Sequence, residues 1–410
     1  MTDPNKQIAA NQTPKRIVFF MSGYDRAGTA RYHSIMSKQH RYYAKRFGVP
    51  MTVGPFNKNT RPQSHFSHFT IDAEWPEGNT TTNCYISDWQ MEAQRDAEQS
   101  YFHRTRRYLY AYSKSWIFGW FQPIFKHQIR ATILFSVPLI GLLARMLILS
   151  FFILAIMVII RSFEPSPFVG AAIGGVIGAL GILALRRINS YFKTLYEPHL
   201  ADCITYFCKA AENDTQEIKT QADRFSIEMI DLIEQEKPDE VYIVSHSCGC
   251  FHSLPVHKAV LEARRSGKNY AAYEVTQITL SSLLAYSIIH KKSHYFRDLC
   301  VEMLEDSDTR WIEYFAPHDP FSIPQISMSQ NYGFDLSTPL PAHYQVRSAA
   351  FGEIFSHKKL RKFKFNPLRM HFQYLTANDV AGSYDFFYII THPHAFANNL
   401  NANIRIQPDS

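Results

Sequence analysis

The chain has 410 residues, 46% of them hydrophobic and 14% aromatic, which is enough apolar material for one large α/β domain or two smaller ones. Its formal charge of +7 comes with no nucleic-acid-binding module, and the basic residues flank apolar runs, so nucleic acid is set aside as a partner and an anionic bilayer takes its place. The six scattered cysteines fit free thiols in a reducing compartment, and the polar stretch Met1 to Pro14 lacks the apolar core of a secretory signal.

Residues 1–14 are predicted to be a disordered tail. Arg16 to Met21 is an almost wholly apolar strand, suited to burial on both faces of a parallel sheet. A helix follows with Tyr32, Ile35, Met36, Tyr43 and Phe47 on one face; Gly48 ends it and Met51-Thr52-Val53 begins the next strand, a βαβ unit by spacing. Phe66–Trp75 and Thr82–Ile86 alternate in polarity and read as extra strands or a hairpin beside the main sheet.

From Ala131 to Ile160 the chain is apolar apart from Arg145, and Phe168 to Leu185 carries no charge. A membrane span needs about 20 apolar residues, so residues 131–187 are predicted to form a transmembrane helical hairpin, with spans at about 139–160 and 168–185. Arg145 lies near one end of the first span, where its stem can snorkel to the headgroups. Arg104, Arg106, Arg107, Lys114, Lys126 and Arg130 precede the hairpin, and Arg186, Arg187 and Lys193 follow it. The positive-inside rule then places both termini and both soluble parts in the cytoplasm. Trp116, Phe118, Trp120 and Phe121 read as an interfacial anchor or as domain packing. Gly170, Gly174 and Gly178, spaced by four, allow close helix approach, either to the first span or in a homodimer.

Thr215 to Gln235 is an amphipathic helix, followed by strands at Val241–Val244, Val275–Leu280, Trp311–Ala316 and Tyr344–Phe351. Neither soluble part closes a sheet alone. Residues 15–130 and 188–396 are therefore read as one doubly wound, mostly parallel α/β domain with the hairpin inserted, and residues 397–410 as a polar tail.

Ser247 carries the chemistry. It lies in Ser245-His246-Ser247-Cys248-Gly249, between an apolar strand and a helix, with small residues two before and two after. That is the layout of a nucleophile elbow, with Ser245 where glycine is usual. A serine nucleophile needs a histidine base and an orienting carboxylate. Asp319, directly after the second strand beyond the elbow, is the candidate acid; Asp306 and Asp308 precede that strand and fit less well. His371 is the candidate base, with His392 and His394 as alternatives. The amides of Cys248 and Tyr24 are candidate oxyanion-hole donors. Cys248/Cys250 and His392/His394 have no second pair at zinc spacing, so no metal or cofactor is expected.

With Ser247 in S-H-S-C-G, Asp319 in A-P-H-D-P and His371 in M-H-F-Q-Y, the chain resembles the α/β-hydrolase superfamily, in its lipase- or esterase-like members, over most of residues 16–395. In layout it is similar to bacterial members with a membrane hairpin inside the domain. The resemblance implies a membrane-anchored serine esterase acting on an ester or acyl substrate, lipidic by location. The alternatives are acyl transfer or thioester hydrolysis on the same triad, or a non-catalytic membrane scaffold.

Overall fold

The apolar run Arg16–Met21 is buried at every position and lies inside a single eight-stranded sheet. The computed structural model describes residues 14–58, 64–119, 121–163, 166–212, 215–267, 273–323, 341–364 and 366–394. Residues 1–13 and 397–410, read as tails, and Trp120 lie outside them.

The elements run β1 (Arg16–Met21), α1 (Gly28–Phe47), β2 (Met51–Val53), β3 (Phe66–Trp75), β4 (Gly78–Ser87), α2 (Gln90–Glu98), α3 (Tyr101–Ile117), α4 (Phe121–His127) and α5 (Ile129–Ser162). They continue with α6 (Pro167–Thr194), α7 (Glu197–Ala211), α8 (Gln216–Glu236), β5 (Glu240–His246), α9 (Cys250–Ser266), β6 (Glu274–Leu280), α10 (Leu284–Ile288), α11 (Tyr295–Glu305), β7 (Trp311–Phe315) and β8 (Tyr344–Ser348). The sheet order is β2-β3-β4-β1-β5-β6-β7-β8, parallel from β4 through β8 and antiparallel at β2-β3-β4. Alternate residues of β1 face opposite cores: Ile17, Phe19 and Met21 meet α2, α3 and α7 to α9, while Val18 and Phe20 meet α1 and the C-terminal helices. Helices thus cover both faces, and the four strands before the hairpin join the four after it, at the β1–β5 pair, in one α/β sheet.

Two expectations change in detail. The β3–β4 hairpin is not beside the main sheet but inside it: β4 pairs in parallel with β1 from Arg16↔Thr82 to Phe20↔Ile86. Consequently β1 and β2, read as a βαβ pair, are separated by β3 and β4, and β2 is the sheet edge. Strand order is a long-range property that local periodicity does not carry.

Among the described residues α5 and α6 are the two helices long and apolar enough to cross a membrane. At 34 residues α5 is about 50 Å long, more than the ~30 Å of a bilayer core. The surplus is its base: Ala131, Leu134, Phe135, Pro138 and Gly141 are buried against the domain, with Phe135 edge-on to Phe207, Tyr286 and Phe321. Beyond Gly141 no residue of α5 is buried, and Leu147, Leu154 and Met157 stand open. The glycine stripe of α6 faces α5 of the same chain: Gly170 meets Phe163 and Ile160, Gly174 and Gly178 meet Ile156, and Gly181 meets Phe152. The surface offered for dimerisation is therefore covered within the chain.

Arg145 does not snorkel. Its guanidinium forks onto both carboxylate oxygens of Glu197 at the start of α7, donates to Asn189 Oδ1 at 2.6 Å and lies over the rings of Tyr101 and Phe192. The one charge in the apolar run ties α5 to α6 and to the domain. The basic flank is also partly engaged by protein: Arg104 pairs with Asp202, Arg107 with Asp96 and Lys114 with Glu212. Trp116 and Phe121 stack on each other at 5.0 Å, with Phe121 buried in the domain and Trp116 half exposed.

Candidate active site

β5 ends in extended His246, and the next residue, Ser247, takes φ +59°, a left-handed conformation that costs a non-glycine residue about 1–2 kcal/mol. A one-turn 3-10 segment, Ser247–Gly249, then leads into α9. The turn is wedged against the end of β1. A Cβ on Gly249 would sit 2.1 Å from the Met21 carbonyl oxygen, so only glycine fits there. Ser245, where glycine was expected, pairs with Met21 within the sheet and needs no such approach. Close packing of strand end on helix start thus holds Ser247 in its strained conformation at the parallel sheet's C-terminal edge.

The same edge carries the other two candidates. Asp319 follows β7 and is fully buried. Its Oδ1 accepts from the Phe321 amide at 3.0 Å, and its Oδ2 accepts from Ser281 Oγ at 2.6 Å and from His371 Nδ1 at 2.8 Å. His371 closes the short helix Pro367–His371, and its ring lies 4.6 Å from those of Phe321 and His246. Facing a carboxylate, Nδ1 carries the proton, which leaves a lone pair on Nε2. That Nε2 is buried and has no hydrogen-bond partner among the described residues. Ser247 and His371 line one cavity of about 770 Å³, but no hydrogen bond joins them.

The structure adds residues the sequence did not single out. Ser281, first after β6, is a second left-handed non-glycine (φ +50°), and its hydroxyl lies 3.1 Å from His371 Nδ1 as well as bonding Asp319. The only signal in the sequence was a Ser-Ser pair directly after an apolar strand. His246 supports His371 from behind. Its Nε2–H donates to the His371 carbonyl at 3.0 Å, so Nδ1 accepts from the Tyr32 hydroxyl at 3.2 Å, which in turn accepts from the Gly23 amide at 2.7 Å. Burial holds His246 well below the usual imidazole range, consistent with this neutral tautomer.

The Gly23 amide is therefore occupied. The amides of Tyr24 and Cys248 and the Ser247 hydroxyl all lie against one point, the Cys248 thiol, which burial keeps protonated. The Tyr24 side chain turns away and donates to Asp96 at 2.7 Å.

The structure does not bring the alternative bases to this cavity. His392 stacks on Tyr388 at 4.2 Å and meets Trp75 edge-on at 4.8 Å near Glu77, and burial lowers it to about 4. His394 packs beside His392. Asp306 and Asp308 are both engaged by Arg265 away from the cavity.

The second membrane-length helix reaches the site. Lys193 in the last turn of α6, and Tyr196 in the joint to α7, line the cavity with Ser247 and His371. The chain matches no protein-family model, no curated protein and no solved structure.

Proposed function

We propose that the chain is a membrane-anchored serine hydrolase of α/β-hydrolase type that cleaves carboxylic esters. The observation that carries this reading is His371, oriented by Asp319 with Nε2 unpartnered, in the same cavity as a serine held at φ +59° between strand and helix. In this mechanism Ser247 Oγ attacks the acyl carbonyl while His371 Nε2 takes its proton. The amides of Cys248 and Tyr24 receive the oxyanion as the Cys248 thiol shifts aside. Collapse forms the acyl–Ser247 ester, and the leaving alcohol takes the proton back from His371. Water, deprotonated by the same nitrogen, releases the acid and restores the serine. α5 and α6 anchor the domain, and the basic residues at the domain end of the hairpin argue for a cytoplasmic site.

One observation favours the non-catalytic alternative: the Ser247–His371 bond is not closed. Rotation of a serine hydroxyl is a small adjustment, and catalytic hydrogen bonds are often loose without substrate. Hydrolysis of a p-nitrophenyl ester by the detergent-purified chain decides between them. The hydrolase reading expects turnover that Ser247→Ala abolishes; no turnover, or the same rate in both, establishes the scaffold.

A further inference from the structure

Six cations line the Ser247 cavity: Arg26, Arg31, Lys38, Lys193, Lys362 and Arg369. Among the described residues Asp25 is the single carboxylate on that lining, and Arg31 already holds it at 3.1 Å. Arg26 reaches out of the lining to Asp202 at 3.3 Å. Lys38, Lys193, Lys362 and Arg369 make no ion pair among the described residues. They come from four elements: α1, the end of α6, and the short helices His357–Phe363 and Pro367–His371. No single helix surface accounts for their convergence. Like charges around one cavity repel unless an anion sits among them, and they raise the local concentration of anionic ligands. His199, in the same wall, is pushed down to about 3 by desolvation first and then by Arg26 and Arg31.

Charge is half of the lining. Ile35, Phe363, Leu368 and Phe372 present apolar surface beside the cations, and α6 brings a membrane-length helix to the rim. Arg369 stands two residues before the candidate base.

We propose that this cavity takes a phosphate-bearing acyl ester, an anionic phospholipid rather than a neutral glyceride, with the phosphate among Lys38, Lys193, Lys362 and Arg369. The ester-cleaving part rests on the reading of Ser247 as nucleophile; the selection of a phosphate-bearing amphiphile does not.

Two measurements on the full chain in neutral detergent separate these. In the first, dodecyl phosphate, dodecanol and inorganic phosphate are compared for the rise in unfolding temperature they produce. Dodecyl phosphate is expected to stabilise the chain, the other two to have little effect, and Lys38→Gln/Lys362→Gln to weaken its binding by about tenfold, as for the loss of charge-assisted bonds. Lys38→Arg/Lys362→Arg should retain binding, which distinguishes lost charge from damaged folding. In the second, wild type is expected to hydrolyse phosphatidylglycerol about tenfold or more faster than diacylglycerol. Equal stabilisation by dodecanol, equal stabilisation by inorganic phosphate alone, or undiminished binding in the double Gln variant overturns the proposal. Ser247-dependent hydrolysis indifferent to substrate charge also overturns it and leaves the hydrolase reading standing. Selective dodecyl phosphate binding with hydrolysis unaffected by Ser247→Ala supports the anionic site and removes the hydrolase.

Discussion

At the ends of β6 and β7 both carboxylate oxygens of Asp319 are engaged, by a main-chain amide, a serine hydroxyl and the His371 ring. At the end of β5 the arrangement is looser: Ser247 lines an open cavity, and the nitrogen that would take its proton has no partner. The Asp319–His371 pair is closed in the structure, whereas the contact from Ser247 to His371 is not. The difference follows from what surrounds each. Asp319 and His371 are clamped by buried Phe321 and His246, while Ser247 looks onto basic and apolar residues from α1, the end of α6 and the C-terminal helices. Under the proposed hydrolase reading, a rigid base beside an adaptable cavity suits a site that admits a bulky substrate and closes the last hydrogen bond on it.

Breaking the closed pair should have the largest effect. Asp319→Asn keeps the volume but lets His371 adopt the wrong tautomer, so kcat is expected to fall by about 10⁴-fold with the fold intact. A smaller loss, under about tenfold, would mean that His371 is not held by Asp319 in the working enzyme. The hairpin side is tested by Glu197→Gln. It strands Arg145, whose pair is 15% and 8% exposed, and should destabilise the chain by about 3 kcal/mol, read as a lower unfolding temperature in detergent. An unchanged value would show that α5 and α6 are not tied to the domain through this pair. Ser281→Ala removes one of the hydrogen bonds on Asp319 and is expected to cost about tenfold in kcat with little change in KM. A change confined to KM would place Ser281 in substrate binding instead.

At neutral pH the smallest effect concerns α9, the helix that follows Ser247. His252 on α9 is fully buried between Trp89 and Phe225 with neither ring nitrogen bonded, and burial depresses it to about 3. Its folded-state value lies below its unfolded one, near 6.5. The unfolded chain therefore takes up the proton first, and stability is lost as pH falls from about 6.5 toward 3, with a slope of at most ~1.4 kcal/mol per pH unit from this group. His252→Phe should flatten that slope in acid unfolding; an unaltered slope would show that His252 is not held neutral.

The legible parts of this molecule were those written locally. The buried strands stood out as apolar runs, the α5–α6 pair as two stretches almost free of charge, and the elbow as small residues around Ser247. Asp319 and His371 could be proposed from chain order, but no local pattern says that their side chains meet. What was not legible depends on distant pairing. The insertion of β3–β4 between β1 and β2 is fixed by register with β1. Arg145 was visible as an interruption, yet its partner Glu197 lies far along the chain. Ser281 gains its role only because β6 and β7 are neighbours, so that the residue after one meets the loop after the other. The cationic cavity was hidden in the same way, since its members come from separate elements.

The central claim is that Ser247 is a nucleophile activated by His371 and Asp319. Reaction of the detergent-purified chain with a fluorophosphonate, followed by digestion and mass mapping, tests it directly. The account predicts a single adduct on Ser247, slowed strongly by Asp319→Asn and absent from Ser247→Ala. An adduct on another residue, or equal modification of wild type and Ser247→Ala, would contradict it.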